Sequence, residues 1–136
     1  MKTEAELVEI VKEYFLKNNF KLNTEIQMYS KRIDIVCIDI VTQEVYAIEV
    51  KLKNWKRAIQ QALTYRLCAD YSYIAIPGEI YHNIDMKFIS QYGIGIITIT
   101  QEGKVNIKKP ALKSTILNEY LKFEIFGIKQ GSDINE

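Results

Sequence analysis

The sequence predicts an α/β fold in which a mixed central sheet is flanked by helices, and three observations lead there. The N-terminal segment spaces its apolar residues like a helix, the middle of the chain carries short β-branched runs, and a second helical pattern separates those runs from further ones. Their order, α-β-β-β-α-β with later additions, describes helices packed on a sheet.

Thr3 to about Asn18 reads as a helix: Thr3 can cap it, acids crowd its first turns, and Leu7, Val8, Val11, Tyr14 and Phe15 share a face. From Glu25 to Ile40 the pattern turns β-like, with Ile33 to Ile38 a strand whose only charge is Asp34. A polar turn over Asp39 to Gln43 leads to a second strand, Val45 to Lys51, so the two are expected to form an antiparallel hairpin. A helix should follow from about Asn54 to Ala69, then a buried strand from Tyr71 to Ile76 stopped by Pro77-Gly78. Asp85 to Tyr92 fits a short helix, Gly95 to Thr100 a strand paired with Lys104 to Ile107, and Lys113 to Phe126 a last helix.

With 136 residues, the chain is expected to form one domain over residues 1–129 and a loose tail over 130–136. A hydrophobic content of 48% with 26% charged residues suits an ordered core. The net charge of +1 carries no global signature of nucleic-acid binding, so such binding would need a local basic patch. No apolar run approaches the roughly 18 residues of a membrane span, and a cytoplasmic location is expected. Cys37 and Cys68 lack CxxC spacing and have only His82 as a further zinc ligand, which points to reduced structural thiols. There is no phosphate-cradling glycine loop and no GxSxG elbow, and one histidine leaves little for histidine-based catalysis.

Charge inside the apolar strands is the informative feature. Glu49 and Lys51, at i and i+2, emerge on one face of their strand, beside the end of the strand holding Asp34. Ionised groups in such a setting are costly unless they are paired, hydrogen-bonded or metal-bound. A plain salt bridge to Lys51 is one explanation. Magnesium is another, because it takes hard oxygen ligands from one or two carboxylates plus water and substrate phosphate. Asp34, Glu49 and the backbone carbonyl of Val50 would then be the protein ligands, with manganese able to substitute, and Lys51 would orient the attacking water or contact the scissile phosphate.

Arg32-Ile33-Asp34, fourteen further residues, and Ile48-Glu49-Val50-Lys51 resemble the motif of the PD-(D/E)XK nuclease superfamily. The resemblance covers roughly residues 3 to 100 and extends through Trp55 to Tyr65, where similar domains carry a glutamine-bearing helix, and Ala69 to Pro77, their next strand. Ile33 stands where the nominal motif has proline. The resemblance implies a restriction-endonuclease-like core and a magnesium-dependent nuclease hydrolysing DNA phosphodiester bonds within strands. It also implies a further metal-shell glutamate from the first helix. Helical phase puts Glu4 on the apolar face with Leu7, Val8 and Val11 and turns Glu6 and Glu9 away, so Glu4 is the candidate and Glu6 the reserve.

On the second helix the same phase groups Gln61 with Ala58, Ala62, Tyr65 and Ala69, making Gln61 rather than Gln60 the site candidate. Arg32, Lys53, Lys56 and Arg57 are the expected nucleic-acid contacts, with Lys31 and Arg66 near the same region. A homodimer would let such a unit address both strands, and a compact domain suits reading DNA structure or ends rather than a long sequence. The rivals are a catalytically inactive nucleic-acid-binding or protein-interaction module of the same fold, and an enzyme acting on RNA or small nucleotides.

Overall fold

The computed structural model describes residues 2–23, 27–28 and 31–127. Part of the β pattern expected from Glu25 falls outside them, as does the tail expected over 130–136.

Helix α1 (Glu4–Lys17) opens with a capping box: Thr3 accepts from the Glu6 N–H, and the Glu6 side chain accepts from the Thr3 N–H. It buries Leu7, Val11 and Phe15, one residue per turn. Asn19 adopts a left-handed φ of 69°, which asparagine tolerates, and the chain turns into strand β1 (Phe20–Leu22). Two short strands, β2 (Gln27–Met28) and β3 (Lys31–Arg32), form a separate two-stranded ladder. Then come β4 (Ile35–Asp39), β5 (Val45–Val50), α2 (Trp55–Tyr65) and β6 (Tyr71–Pro77). A 3₁₀ turn (Gly78–Asn83), α3 (Met86–Ser90), β7 (Gly95–Ile99), β8 (Val105–Lys109) and α4 (Glu119–Phe126) follow.

The main sheet has six strands in the order β1-β4-β5-β6-β7-β8. β1, β4 and β5 run antiparallel in sequence, β5, β6 and β7 run parallel, and β8 returns antiparallel. The expected α/β architecture, a mixed sheet flanked by helices, is therefore the one observed. The strand period of two sorts the core. Ile48 and Val50 of β5 face α1 with Leu7, Val11 and Phe15, whereas Val45 and Ala47 face Tyr65 of α2 and Phe126 of α4. Ile74, Ile76 and Ile96 pack under Ala58, Ile59 and Ala62 of α2. Among the described residues no helix is long and apolar enough to cross a membrane.

Several elements differ from expectation, among them β4, which begins at Ile35 rather than Ile33 and leaves Asp34 outside the strand. β1 was not expected; at three residues it is too short to show an alternation in sequence. Helix α2 ends at Tyr65 rather than Ala69. The segment from 113 to 118 is not helical: Ser114 and Asn118 turn their polar groups to local and distant backbone instead. Residues 111–118 form a strap across the N-terminal ends of β6 and β7. The N–H groups of Ala111, Leu112, Ser114 and Asn118 donate respectively to the Tyr73 hydroxyl and to the carbonyls of Gly93, Asp70 and Leu67. Gly95 is required where this strap passes, because a Cβ there would collide with the Tyr73 ring and the Ala111 nitrogen.

Arg66 holds this strap in place rather than facing outward as a phosphate contact. It is buried and donates to the carbonyls of Tyr92 and Lys113. Lys122 is buried as well, 2.8 Å from Asp70, whose carboxylate also accepts from the Val45 N–H. The strap thus closes one end of the parallel strands and leaves their C-terminal ends to the candidate site.

Candidate active site at the end of the β4–β5 hairpin

The antiparallel ladder pairs Ile35 with Ile48, and continuing it would pair residue 33 with residue 50. The strand stops first. Asp34 sits in a bend, and its Oδ2 accepts from the Val50 N–H at 2.9 Å, taking the place of a backbone acceptor. The N–H and carbonyl of one strand residue point to the same edge, so the Val50 carbonyl is directed to the Asp34 side of β5.

Glu49 projects from the opposite face of β5 to Val50 and is only 3% exposed. Its Oε1 accepts from the Tyr65 hydroxyl at 2.7 Å. Burial pushes the carboxyl up to about 7; the Tyr65 hydrogen bond and Lys51 oppose that rise, and the neighbouring Asp34 carboxylate adds to it. Burial and Glu49 together drive the Tyr65 phenol upward, so it stays protonated and keeps donating.

Helical side chains lean toward their N-terminus, which carries the Tyr65 hydroxyl back along α2 to the C-terminal end of β5. Gln61 lies one turn earlier on that helix. Its Oε1 is buried without a hydrogen-bond partner among the described residues.

Lys51 is the first residue beyond β5, half-buried, and its N–H donates to the Ala75 carbonyl at 3.1 Å. Among the described residues no ion pair joins Lys51 to Asp34 or Glu49. Glu4 reaches the same end of the sheet, where its Oε2 accepts from the Leu52 N–H at 3.3 Å. Glu6, the reserve candidate, is committed to the capping box.

The chain therefore brings Asp34, Glu49, Val50, Lys51 and Glu4 to one end of the hairpin, with the Tyr65 hydroxyl on Glu49 and Gln61 one helical turn from Tyr65. Arg32 is exposed and borders a cleft of about 20 Å³ together with Asp34 and Lys12. Lys53 is exposed just past Lys51, and Lys56 and Arg57 are exposed on the first turn of α2, where Lys56 lies over the Trp55 ring. His82 is exposed in the 3₁₀ turn.

Tyr65 was not singled out as a site group by sequence, because an aromatic on an apolar helix face reads as core. Its placement one turn beyond Gln61, on the face covering the Glu49 strand, was the available signal.

Two carboxylates and a strand carbonyl make an all-oxygen donor set of the kind magnesium takes. Among the described residues no group of three or more His, Cys, Asp and Glu side chains gathers. The fit thus rests on the Asp34–Glu49 pair, whose mutual repulsion a divalent cation would relieve.

No protein-family model and no curated protein match the chain. Solved structures share its fold. A protein of unknown function from Silicibacter pomeroyi aligns over 93% of this chain and 83% of its own, with a TM-score of 0.71 and 15% identity. An XisH family protein from Nostoc punctiforme aligns over 76% of this chain and 95% of its own (TM-score 0.55, 16% identity). An fdxN element excision controlling factor protein from Anabaena variabilis aligns over 74% and 96% (TM-score 0.56, 17% identity). At these identities the likeness is one of fold.

Proposed function

We propose that this chain is a divalent-metal-dependent nuclease that hydrolyses DNA phosphodiester bonds within strands. The observation that carries the proposal is the pairing of Asp34 with buried Glu49 at one end of the hairpin, beside a Lys51 that neither neutralises by contact. The resemblance of Asp34 and Glu49-Val50-Lys51 to the PD-(D/E)XK motif supports it. A fold neighbour named for control of element excision is in keeping with DNA as the substrate.

Asp34, Glu49 and the Val50 carbonyl would hold magnesium or manganese, which when bound lowers the pKa of water and stabilises charge on the phosphoryl oxygens. The protein groups do the rest. Tyr65 fixes the Glu49 carboxylate, and Lys51 orients the attacking water or grips the scissile phosphate. Glu4 is held at the mouth by the Leu52 N–H, and the unpartnered Gln61 oxygen can accept from water. Water adds to phosphorus, the P–O bond to the leaving oxygen breaks, and that oxygen departs with a proton. Arg32, Lys53, Lys56 and Arg57 hold flanking backbone phosphates, and a homodimer presents one site to each strand.

The test combines thermal unfolding with cleavage. Magnesium or manganese should raise the melting temperature of the wild type and not of Asp34→Ala, since a ligand bound only by the native state stabilises it by mass action. Closed circular plasmid should be nicked or linearised in the same buffers. Metal indifference without cutting would favour the non-catalytic module.

A further inference from the structure

Immediately beside the candidate site, over the C-terminal ends of β6 and β7, lies a cavity of about 380 Å³. Leu7, Leu52, Pro77, Ile80 and Ile99 wall it. Its volume falls within the range of small-molecule pockets, about 300–1,000 Å³, and its position outside the carboxyl ends of parallel strands is where open α/β sheets hold ligands.

We propose that this cavity receives an unpaired nucleobase next to the scissile phosphate, so that the site selects DNA in which a base is already out of the stack. The position of that phosphate rests on the nuclease reading above; the cavity and its chemistry do not. Two of its borders belong to the candidate site itself. The Leu52 N–H holds Glu4, and Lys53 stands two residues beyond Lys51. A nucleotide whose phosphate lies against Lys51 and Lys53 therefore has the cavity within reach of its own or the adjacent base.

The lining matches a base on both counts that matter. Aliphatic side chains, Leu7, Leu52, Pro77, Ile80 and Ile99, supply apolar walls for its flat faces. Polar groups meet its edge: Gln101 donates to Glu79 at 3.1 Å, and together they present a carboxylate acceptor and an amide to amino and imino groups of the base. Lys2 and Lys53 also border the cavity and complement the phosphates on either side of the nucleotide. A base in an intact duplex is stacked and cannot enter without an unstacking cost, which is smallest for a base that is already single-stranded. The substrates selected are thus flaps, forks, junctions and single-stranded stretches rather than uninterrupted duplex.

The experiment compares two duplexes of one sequence, identical except that one carries a single unpaired 2-aminopurine. Binding to the full chain is read by anisotropy and by 2-aminopurine fluorescence without divalent metal, using wild type and the cavity-filling variants Gln101→Trp and Ile80→Trp, each first shown to melt cooperatively. Gln101 is exposed, so its variant guards against a failure of Ile80→Trp to fold. Wild type should prefer the unpaired base by about tenfold, which corresponds to about 1.4 kcal/mol. The preference should fall to twofold or less in the variants, with affinity for intact duplex unchanged.

Equal affinity for the two duplexes, or a preference that survives both variants, overturns the proposal. Cleavage assays on the same samples with magnesium separate the two ideas. Cutting without the preference leaves the nuclease and removes the base pocket, whereas the preference without cutting leaves the pocket and removes the nuclease.

Discussion

Replacing Glu49 by glutamine should stabilise the metal-free protein at alkaline pH while abolishing the proposed cleavage. The carboxyl moves from its ordinary value of 4.5 to about 7 because folding buries it. At about 1.4 kcal/mol per pH unit, its charged form is penalised by at most about 3.5 kcal/mol in the folded state. Its oxygens border the exposed Asp34, where water relaxes part of that penalty, so an effect of about 1–3 kcal/mol is expected.

The sign follows from proton linkage. Between pH 4.5 and about 7 the folded state holds a proton that the unfolded state has released. Stability is therefore fully present below pH 4.5 and is lost as pH rises through about 7. Glutamine keeps an acceptor for the Tyr65 hydroxyl, offers a donor to Asp34, and has no charged form. Urea unfolding with a chelator at pH 4.5 and pH 8.5, followed through the single Trp55, should show Glu49→Gln gaining about 1–3 kcal/mol on wild type between the two pH values. A difference between the two proteins that does not change with pH would refute the reasoning.

Tyr65→Phe removes the donor from a buried carboxylate and should cost about 1–3 kcal/mol at neutral pH. It should also raise the magnesium concentration that half-saturates the proposed cleavage, as seen in a metal titration. Lys51→Ala should reduce the proposed cleavage by about 100-fold or more, with a melting temperature close to wild type, because the half-buried ammonium makes no ion pair among the described residues. Lys122→Ala leaves Asp70 charged and buried and should destabilise by about 3–5 kcal/mol in urea; the Asp70→Asn/Lys122→Met double variant should recover most of that loss.

The parts of the molecule that were legible in sequence are those where local pattern and tertiary role coincide. Asp34, Glu49 and Lys51 stood out because charge breaks an apolar strand, and the hairpin that joins them is local. Helical phase separated Glu4 from Glu6, and the structure gives the two residues different partners, the Leu52 N–H and the capping box. Other features depend on distance along the chain. The Asp70–Lys122 pair spans 52 residues, and Asp70 reads as a turn residue before a strand. Ser114 and Asn118 lie in a pattern that looks helical, yet their backbone N–H groups are taken by Asp70 and Leu67. Arg66 resembles its basic neighbours until the carbonyls of Tyr92 and Lys113 are seen around it. Tyr65 combines a core ring with a site hydroxyl, and sequence displays only the ring.

The most direct measurement is incubation of closed circular plasmid with the purified chain in magnesium, manganese or chelator, alongside Glu49→Gln and Lys51→Ala prepared in the same way. Nicked or linear product from wild type with metal, and none from either variant or with chelator, is the predicted result. Wild type that leaves the plasmid and branched and single-stranded DNA intact, or cutting that persists in Glu49→Gln, would contradict a metal-dependent nuclease centred on Asp34, Glu49 and Lys51.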